Sequence, residues 1–163
     1  MCLTTNHKEI KEAETEIECY KVIKYSVHGG YRTPCVNYNV GYSVIKGESP
    51  LVAIGNENVK YNEIENNAEI NTGFIHVFKT KYSASLYAEI LDVLGGGYES
   101  EYKVFKCTIP KGTKYYEGHF SYFCGNLSSY AAKFIMLCEE IDWKYIIDQT
   151  TFSNTPGYIL SKQ

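Results

Sequence analysis

Several residue types and patterns are scarce in this chain of 163 residues, and each scarcity excludes a class of protein. Arg32 is the only arginine and the formal net charge is -3, so the chain has no overall nucleic-acid footprint. No apolar run approaches the roughly 18 residues that span a bilayer. The segment from Met1 to Lys8 has no basic stretch followed by an apolar one, so we expect no signal peptide. We therefore expect a cytoplasmic protein with no membrane segment.

The cysteines lack the spacing of a metal site. They are scattered, with no Cys-x-x-Cys pair and no histidine at ligand spacing, so the sequence predicts no metal ligands and no cofactor. In a cytoplasmic protein they are expected to be reduced thiols. Cys19, Cys107 and Cys138 lie in apolar extended stretches and are predicted to be small core residues.

Tyrosine, by contrast, is abundant, with 16 residues against 7 Phe and 1 Trp. Because Tyr favours strands and half-buried sheet faces, the main interpretation is a sheet-rich fold. The alternative interpretation is a surface on which a small ligand stacks. A hydrophobic content of 44% is typical of a globular domain. We predict a polar leader, loose or helical, over residues 1–15, and a single domain over residues 16–163.

One helix and several strands follow from the periodicity. A stripe from Leu86 to Leu94 predicts a principal helix over about residues 82–94, which Gly95-Gly96-Gly97 terminates. The Asn- and Glu-rich segment 55–71 is predicted to be a surface loop, and residues 127–132 a helical turn. Strands are predicted over residues 16–24, 73–79, 102–109 and 133–141. The predicted fold class is α+β, a mixed or antiparallel sheet packed on the one principal helix.

The segment from Val104 to Tyr116 predicts a corner of this fold. It consists of a strand, a Pro-Lys-Gly turn and a second extended run. Pro110 cannot donate to a sheet ladder, so the strand ends there. Gly112 supplies the positive φ that a tight reversal commonly needs.

Three side chains are candidates for chemistry, and each also has a structural interpretation. Arg32 presents a planar fork suited to phosphate or carboxylate, but it could equally form an ordinary ion pair. His76 lies between apolar neighbours in a strand, where a histidine is usually a hydrogen-bonded core residue. Glu101 forms a pair with Glu99, either catalytic carboxylates or a solvated strand entrance. No serine-hydrolase, zinc-protease or phosphate-loop motif is present.

Several segments spread along the chain carry a resemblance to known sequences. They are Cys19-Tyr20-Lys21-Val22, Tyr38-x-x-Gly41, Gly73 to Phe78, Val104 to Gly112 and Lys133 to Ile141. With this pattern, most of the chain resembles a group of small uncharacterised proteins from gut Bacteroides-type bacteria and their phages, which often open with Met-Cys-Leu-Thr-Thr-Asn, as here. The resemblance implies a phage or mobile-element origin and carries no activity with it.

A second, local resemblance concerns the turn. The run from Ile109 to Tyr115 is similar to the Leu-Pro-Arg-Gly-Thr-x-Tyr segment of bacterial ADP-ribosyltransferase toxins. In that family a catalytic Glu stands four residues before the Pro, and a Gln or Glu two residues earlier. Here these positions hold Lys106 and Val104, so the resemblance implies a related scaffold without the catalytic carboxylate.

The function expected from the sequence is that of a non-catalytic accessory or interaction protein of phage or mobile-element type, with a protein partner. The alternative is an NAD-using, ADP-ribosyltransferase-like enzyme, or a degenerate relative of one, with Arg32, His76 and Glu101 near its cleft. The sequence identifies neither the partner nor the oligomeric state.

Overall fold

The computed structural model describes residues 3–6, 9–26, 30–32, 51–53, 55–95, 100–122 and 125–154. Within these residues the chain forms two helices, α1 (Lys81–Gly95) and α2 (Trp143–Asn154). The strands are β1 (Leu3–Thr5), β2 (Lys11–Glu12), β3 (Ile17–Ser26), β4 (Gly30–Arg32), β5 (Leu51–Val52), β6 (Val59–Asn62), β7 (Asn67–Ile70), β8 (Ile75–Phe78), β9 (Ser100–Ile109), β10 (Lys114–Tyr122), β11 (Gly125–Ala132) and β12 (Phe134–Ile141).

The predicted fold class, α+β with a sheet packed on one principal helix, is wrong. The described strands form a single antiparallel sheet in the order β5-β12-β9-β3-β8-β11-β10-β1-β7-β6, with β2 beside β10 and β4 beside β3. The helix predicted over residues 82–94 is confirmed as α1, but it has 15 residues and α2 has 12, so the fold is mainly β. Neither helix in the described part of the chain is long and apolar enough to cross a membrane.

The structure contains additional strands in three polar or small-residue segments for which no strand was predicted from the sequence. The 1–15 leader contributes β1 and β2, where a loose or helical segment was predicted. The predicted loop over residues 55–71 forms β6 and β7, and the predicted helical turn over 127–132 belongs to β11. Their own side chains give weak strand signals, and pairing with neighbouring strands decides the conformation.

The centre of the sheet is the long pairing of β3 with β9. It runs from Ile17 opposite Ile109 to Ser26 opposite Ser100. Because side chains alternate along a strand, β3 contributes to two cores. The face packed on α1, here called the helix face, buries residues of β3, β8, β9 and both helices: Tyr20, Val22, Phe78, Val104, Tyr87, Ala88, Trp143 and Ile147. The opposite face buries Cys19, Ile23, Val77, Phe105, Cys107 and Ile135.

Both helices are fixed at their starts by side-chain caps. Thr80 Oγ1 accepts the Ser83 N–H at 3.1 Å before α1, and Asp142 Oδ1 accepts the Tyr145 N–H at 3.2 Å in α2. Trp143 Nε1 donates to the Tyr102 carbonyl at 2.7 Å, which joins α2 to β9. The last residue of α1 is Gly95, one residue beyond the predicted end at Leu94, and the other two glycines of the predicted cap, Gly96 and Gly97, lie outside the described residues.

The corner predicted at the Pro-Lys-Gly turn is confirmed. The Thr113 N–H donates to the Pro110 carbonyl at 3.1 Å, and Gly112 has a φ of 86°. The turn is also held by the amino-terminal segment, because Gly112 N–H donates to the Ala13 carbonyl and Ala13 N–H to the Thr113 carbonyl. These bonds make the turn a structural junction between β2 and the β9–β10 connection.

Of the three cysteines predicted to lie in the core, two are buried and one is exposed. Cys19 and Cys107 are fully buried opposite each other on β3 and β9, as predicted. Cys138 is exposed, so its predicted place in the core is wrong. The β9–β12 register shifts between Leu137 and Glu139, and such a bulge takes the extra residue out of the regular alternation.

Candidate functional site

The most distinctive surface feature is the hairpin of β6 and β7 at the end of the sheet order. Its register runs from Val59 opposite Ile70 to Asn62 opposite Asn67. Asn62 Oδ1 accepts the N–H groups of Ile64 and Glu65, both at 3.1 Å. Asparagine favours such local bonds, so the turn has a defined shape.

Asn66 completes this turn with a φ of 51°. Among the described residues it is the only non-glycine residue with a positive φ. Asparagine tolerates the left-handed region better than most residues, which explains its place here. We call the segment Asn62–Asn67 the hairpin tip. Its conformation is set by asparagines at its two ends rather than by glycine or proline.

At the hairpin tip one large apolar side chain projects from the protein. Ile64 is 97% exposed, whereas Ile70 in the same hairpin is fully buried. Tyr61 is 54% exposed and its hydroxyl bonds with Tyr116, and this bond is one of the factors that raise the Tyr116 pKa after burial of the ring. The tip therefore presents an isoleucine on a turn that is itself anchored to the sheet.

Three carboxylates lie on the same hairpin as this isoleucine. Glu63 and Glu65 flank it in sequence, and Glu69 lies opposite Lys60 on the paired strand. An open, mainly polar groove of about 570 Å³ runs beside the tip. It is lined by Thr4, Lys60, Tyr61, Asn62, Glu63, Ile64, Glu65, Asn67 and Glu69. The hairpin surface therefore combines one exposed apolar side chain with three carboxylates and one lysine.

The base of the hairpin is held more tightly than its tip. Gly73 has a φ of 83°, and a Cβ added there would lie 2.7 Å from the Glu57 Cα. Lys133 forms an ion pair with Glu57, donates to the Gly73 carbonyl at 3.2 Å, and lies 4.3 Å from the centre of the Phe74 ring. One half-buried lysine thus joins both sides of the hairpin base to the end of β11.

His76, a predicted site residue, is a buried structural residue of β8. Its Nε2 lies 3.1 Å from the Ile70 carbonyl oxygen, so a neutral ring with a proton on Nε2 donates to β7. Burial lowers the pKa of His76 to about 4, the Ile70 carbonyl opposes this shift, and Lys21 adds to it. Lys21 Nζ donates to the His76 carbonyl at 3.0 Å. The imidazole is therefore neutral near pH 7.

The other two predicted site residues lie on strands that flank β3. Arg32 pairs through its backbone position with Lys24, and Glu101 is opposite the next residue, Tyr25. Glu101 is exposed and shares the strand alternation of Phe105, on the face opposite the helices. His76 shares the alternation of Phe78, on the helix face. The structure therefore does not bring His76 and Glu101 together on one face.

Lys106 and Val104 stand at the two positions where the toxin resemblance would require an acid and an amide or acid. Val104 is fully buried in the core of the helix face. Lys106 Nζ lies 3.4 Å from Glu18 Oε2, and Tyr20 donates to Glu18 Oε1 at 2.6 Å. Burial, followed by this bond to Glu18, raises the pKa of Tyr20 to about 12. The three polar groups satisfy one another at the sheet surface.

A second polar cluster lies across β8, β10 and β11. Lys79 Nζ lies 2.7 Å from Glu117 Oε1 and 5.2 Å from the centre of the Tyr130 ring, and Lys11 lies 3.6 Å from Glu117. The bond from Lys79 is the main cause that lowers the pKa of Glu117. Burial is the main cause that raises the pKa of Tyr130 to about 12. In this cluster the carboxylate of Glu117 is paired with the ammonium groups of Lys79 and Lys11, which is typical of a structural ion-pair network.

Neither a metal centre nor an activated nucleophile emerges from the described residues. Within residues 3–154, apart from the gaps given above, no group of three or more His, Cys, Asp or Glu side chains is placed to hold a metal ion. A hydrogen bond with Cys107, together with burial, raises the pKa of the Cys19 thiol. A protonated, buried thiol is a poor nucleophile.

The hairpin tip was missed in the sequence because residues 55–71 contain few large aliphatics. A weaker signal was present: Val59 and Tyr61 alternate with polar residues, and Asn62 and Asn66 enclose the short segment Glu63-Ile64-Glu65. These features are typical of a hairpin with an asparagine-built turn. They do not reveal that Ile64 would be exposed, since an isoleucine in a sequence is ordinarily assigned to the core.

Comparisons of the chain with family models, with curated proteins and with solved structures find no match.

Proposed function

We propose that this chain is a cytoplasmic, non-catalytic interaction protein of phage or mobile-element type, and that the hairpin tip is its contact with a protein partner. The observation that carries the proposal is the 97% exposure of Ile64 on a turn held by two hydrogen bonds, which the N–H groups of Ile64 and Glu65 donate to Asn62 Oδ1. A single exposed apolar residue is ordinary on a protein surface. Its presentation at the end of an anchored, shaped turn supports a binding role.

The energetics favour such a contact. Transferring an isoleucine side chain from water into an apolar pocket contributes about 1.5–3 kcal/mol. A turn that already has its bound shape loses little conformational entropy on binding, so more of that free energy remains as affinity. The two hydrogen bonds that Asn62 Oδ1 accepts and the positive φ of Asn66 supply this preorganisation.

No feature of the described residues favours the alternative, an ADP-ribosyltransferase-like activity. The position four residues before Pro110 carries Lys106, which is paired with Glu18. A carboxylate at that position is what the transferase chemistry would require. Release of nicotinamide from NAD by the purified chain would contradict the non-catalytic part of the proposal.

A photo-crosslinking experiment tests the contact. A photoreactive amino acid replaces Ile64 in one sample and Tyr145 in a control, since Tyr145 is 61% exposed on α2, away from the hairpin. Both chains are irradiated in cells from which the sequence derives. We expect a discrete protein adduct from position 64 and none of the same mass from position 145.

Competition makes the result specific. Excess unlabelled wild-type chain should remove the adduct in a cell extract, whereas an Ile64→Asp chain should not. Equal competition by the two chains, or no adduct at position 64, would contradict the hairpin tip as the contact. Circular dichroism of the Ile64→Asp chain verifies that it is folded.

A further inference from the structure

The charge around Ile64 indicates what kind of protein surface it fits. Glu65 Oε2 accepts a hydrogen bond from Asn67 Nδ2 at 3.1 Å, and Glu69 Oε1 accepts one from Asn71 Nδ2 at 3.3 Å. Both donors are neutral amides, so the carboxylates are oriented while their charge is retained. This contrasts with Glu117, which is neutralised by lysine.

Glu63, Glu65 and Glu69 have no lysine, arginine or histidine within ion-pair distance among the described residues. Lys60 is the single basic residue of the hairpin and lies opposite Glu69. Elsewhere in the described residues, Glu12, Glu18, Glu57, Glu117 and Glu140 each pair with a lysine, whereas Glu101 on β9 and Glu139 on β12 do not. The hairpin tip is thus a place where negative charge is left uncompensated beside an exposed apolar side chain.

Charge complementarity selects among the occupants of such a surface. Nucleic acid and anionic lipid would be repelled by Glu63 and Glu65. A second copy of this chain carries the same negative excess, with a net charge of -3. A protein with lysine or arginine around an apolar pocket would satisfy both features, since opposite potentials across an interface speed encounter and fix its register.

We infer that the hairpin tip binds a protein surface in which an apolar socket, filled by Ile64, is rimmed by lysine and arginine side chains that face Glu63 and Glu65. This inference rests on the proposed function and specifies its partner. Ile64 supplies the buried anchor, and the two carboxylates supply orientation and electrostatic attraction.

A phage-displayed library of short random peptides, selected on the immobilised wild-type chain, provides the test. The library is first depleted on an immobilised Ile64→Asp chain. The peptides enriched afterwards on the wild-type chain are therefore those whose binding depends on Ile64. We expect these peptides to combine aliphatic or aromatic residues with a net positive charge. Enrichment of neutral or acidic peptides that still require Ile64 would overturn the inferred partner chemistry and leave the proposed contact intact.

Affinity measurements on an enriched peptide give the magnitudes. Ile64→Ala should weaken binding at least about tenfold, because most of the anchor's buried area is lost. The double change Glu63→Gln and Glu65→Gln should weaken binding about fivefold and reduce its salt dependence. The matched control, Glu14→Gln with Glu139→Gln, changes the net charge equally at exposed positions away from the tip and should leave binding unchanged.

Two outcomes would overturn the inference directly. If both double variants weaken binding equally, the attraction is a net-charge effect and the hairpin carboxylates do not face the basic groups. If a fluorescent oligonucleotide or vesicles containing anionic phospholipid bind the chain in an Ile64-dependent manner, the partner is not a basic protein surface. Failure to enrich any Ile64-dependent peptide, together with no adduct at position 64, would refute the proposed function itself.

Discussion

The centre of the sheet and the β6–β7 hairpin are built from the same antiparallel pairing but use their side chains in opposite ways. Along β3 and β9 both faces are covered, and aromatic rings such as Tyr87 and Phe78 meet at 5.3 Å between centroids. In the hairpin, Ala68 and Ile70 are buried at the base while Ile64 is almost entirely exposed. The difference indicates that stability is concentrated in the centre and that the hairpin tip is available for recognition.

The largest expected effect comes from emptying the centre. Tyr87→Ala removes a 1% exposed ring that packs on Phe78 and Phe120, so the free energy of unfolding should fall by about 3–5 kcal/mol. Tyr82→Ala on the same helix is the control, because Tyr82 is 44% exposed and should cost no more than about 0.5 kcal/mol. Urea unfolding measures both. Equal losses would contradict the assignment of stability to the centre.

The next effect concerns His76, which joins the two regions by its bond to Ile70. Its folded pKa of about 4 lies below the usual value near 6.5, so the unfolded chain binds more protons between these values. Stability should therefore rise with pH across this window, by roughly 3 kcal/mol, and be lost as pH falls through it. The difference between wild type and His76→Gln in urea unfolding isolates this contribution from the carboxylates.

A direct titration provides an independent measurement for His76. The NMR signal of its imidazole Cε1 proton should show no titration between pH 7 and pH 5, since the ring is neutral and buried throughout. A midpoint near pH 6.5 would show that the ring is hydrated, which would contradict its burial.

A smaller effect is expected at the hairpin base. Gly73→Ala combines a φ of 83° with a Cβ that would overlap the backbone of Glu57, so it should cost about 1–3 kcal/mol. Gly112→Ala has a similar φ of 86° but no atom within 4 Å of the added Cβ, so only the conformational cost of about 1 kcal/mol is expected. The difference between the two thermal unfolding curves measures the crowding at the base. Equal losses of stability in the two variants would show that the backbone near Glu57 shifts to accommodate the added Cβ.

The smallest effect on stability is expected at the hairpin tip. Ile64→Ala should change the free energy of unfolding by no more than about 0.5 kcal/mol, because the side chain has almost no contacts to lose. Ile70→Ala, the same substitution in the same hairpin, should cost about 2–5 kcal/mol. Chemical unfolding of the two variants sharpens the comparison. A large loss from Ile64→Ala would mean that the tip is part of the fold rather than a recognition element.

The elements with strong local signals could be predicted from the sequence. The stripe from Leu86 to Leu94 gives α1, and the apolar alternation of residues 102–109 with Pro110 gives β9 and its turn. These two predictions are correct because the apolar residues that set the local periodicity are also the ones that the fold buries. The overall class was mispredicted for two reasons. The partners of β1 are distant in sequence, such as Ile70 opposite Leu3, and β6 and β11 lie in polar or small-residue segments whose own side chains give weak strand signals.

The site was less accessible to sequence reasoning than the fold. His76 could be assigned to a strand and to a core role from its apolar neighbours, and that interpretation agrees with its burial. The separation of His76 from Glu101 depends on the strand order, which local patterns do not specify. Ile64 is exposed because it lies in the turn of four residues between the paired Asn62 and Asn67. From its residue type alone, an isoleucine would be placed in the core.

The position of β1 between β10 and β7 has a consequence for the order of folding. The Thr5 hydroxyl donates to the Glu117 carbonyl at 2.6 Å across 112 positions of sequence, and a Cβ on Gly118 would overlap the Thr4 carbonyl. In the described sheet, strand pairing connects the hairpin to β10 through β1, a strand of three residues, and β10 is synthesised long after β1. Such a long-range pairing closes late, because loop entropy must be overcome first. The β6–β7 hairpin is thus expected to dock last, once the centre has formed.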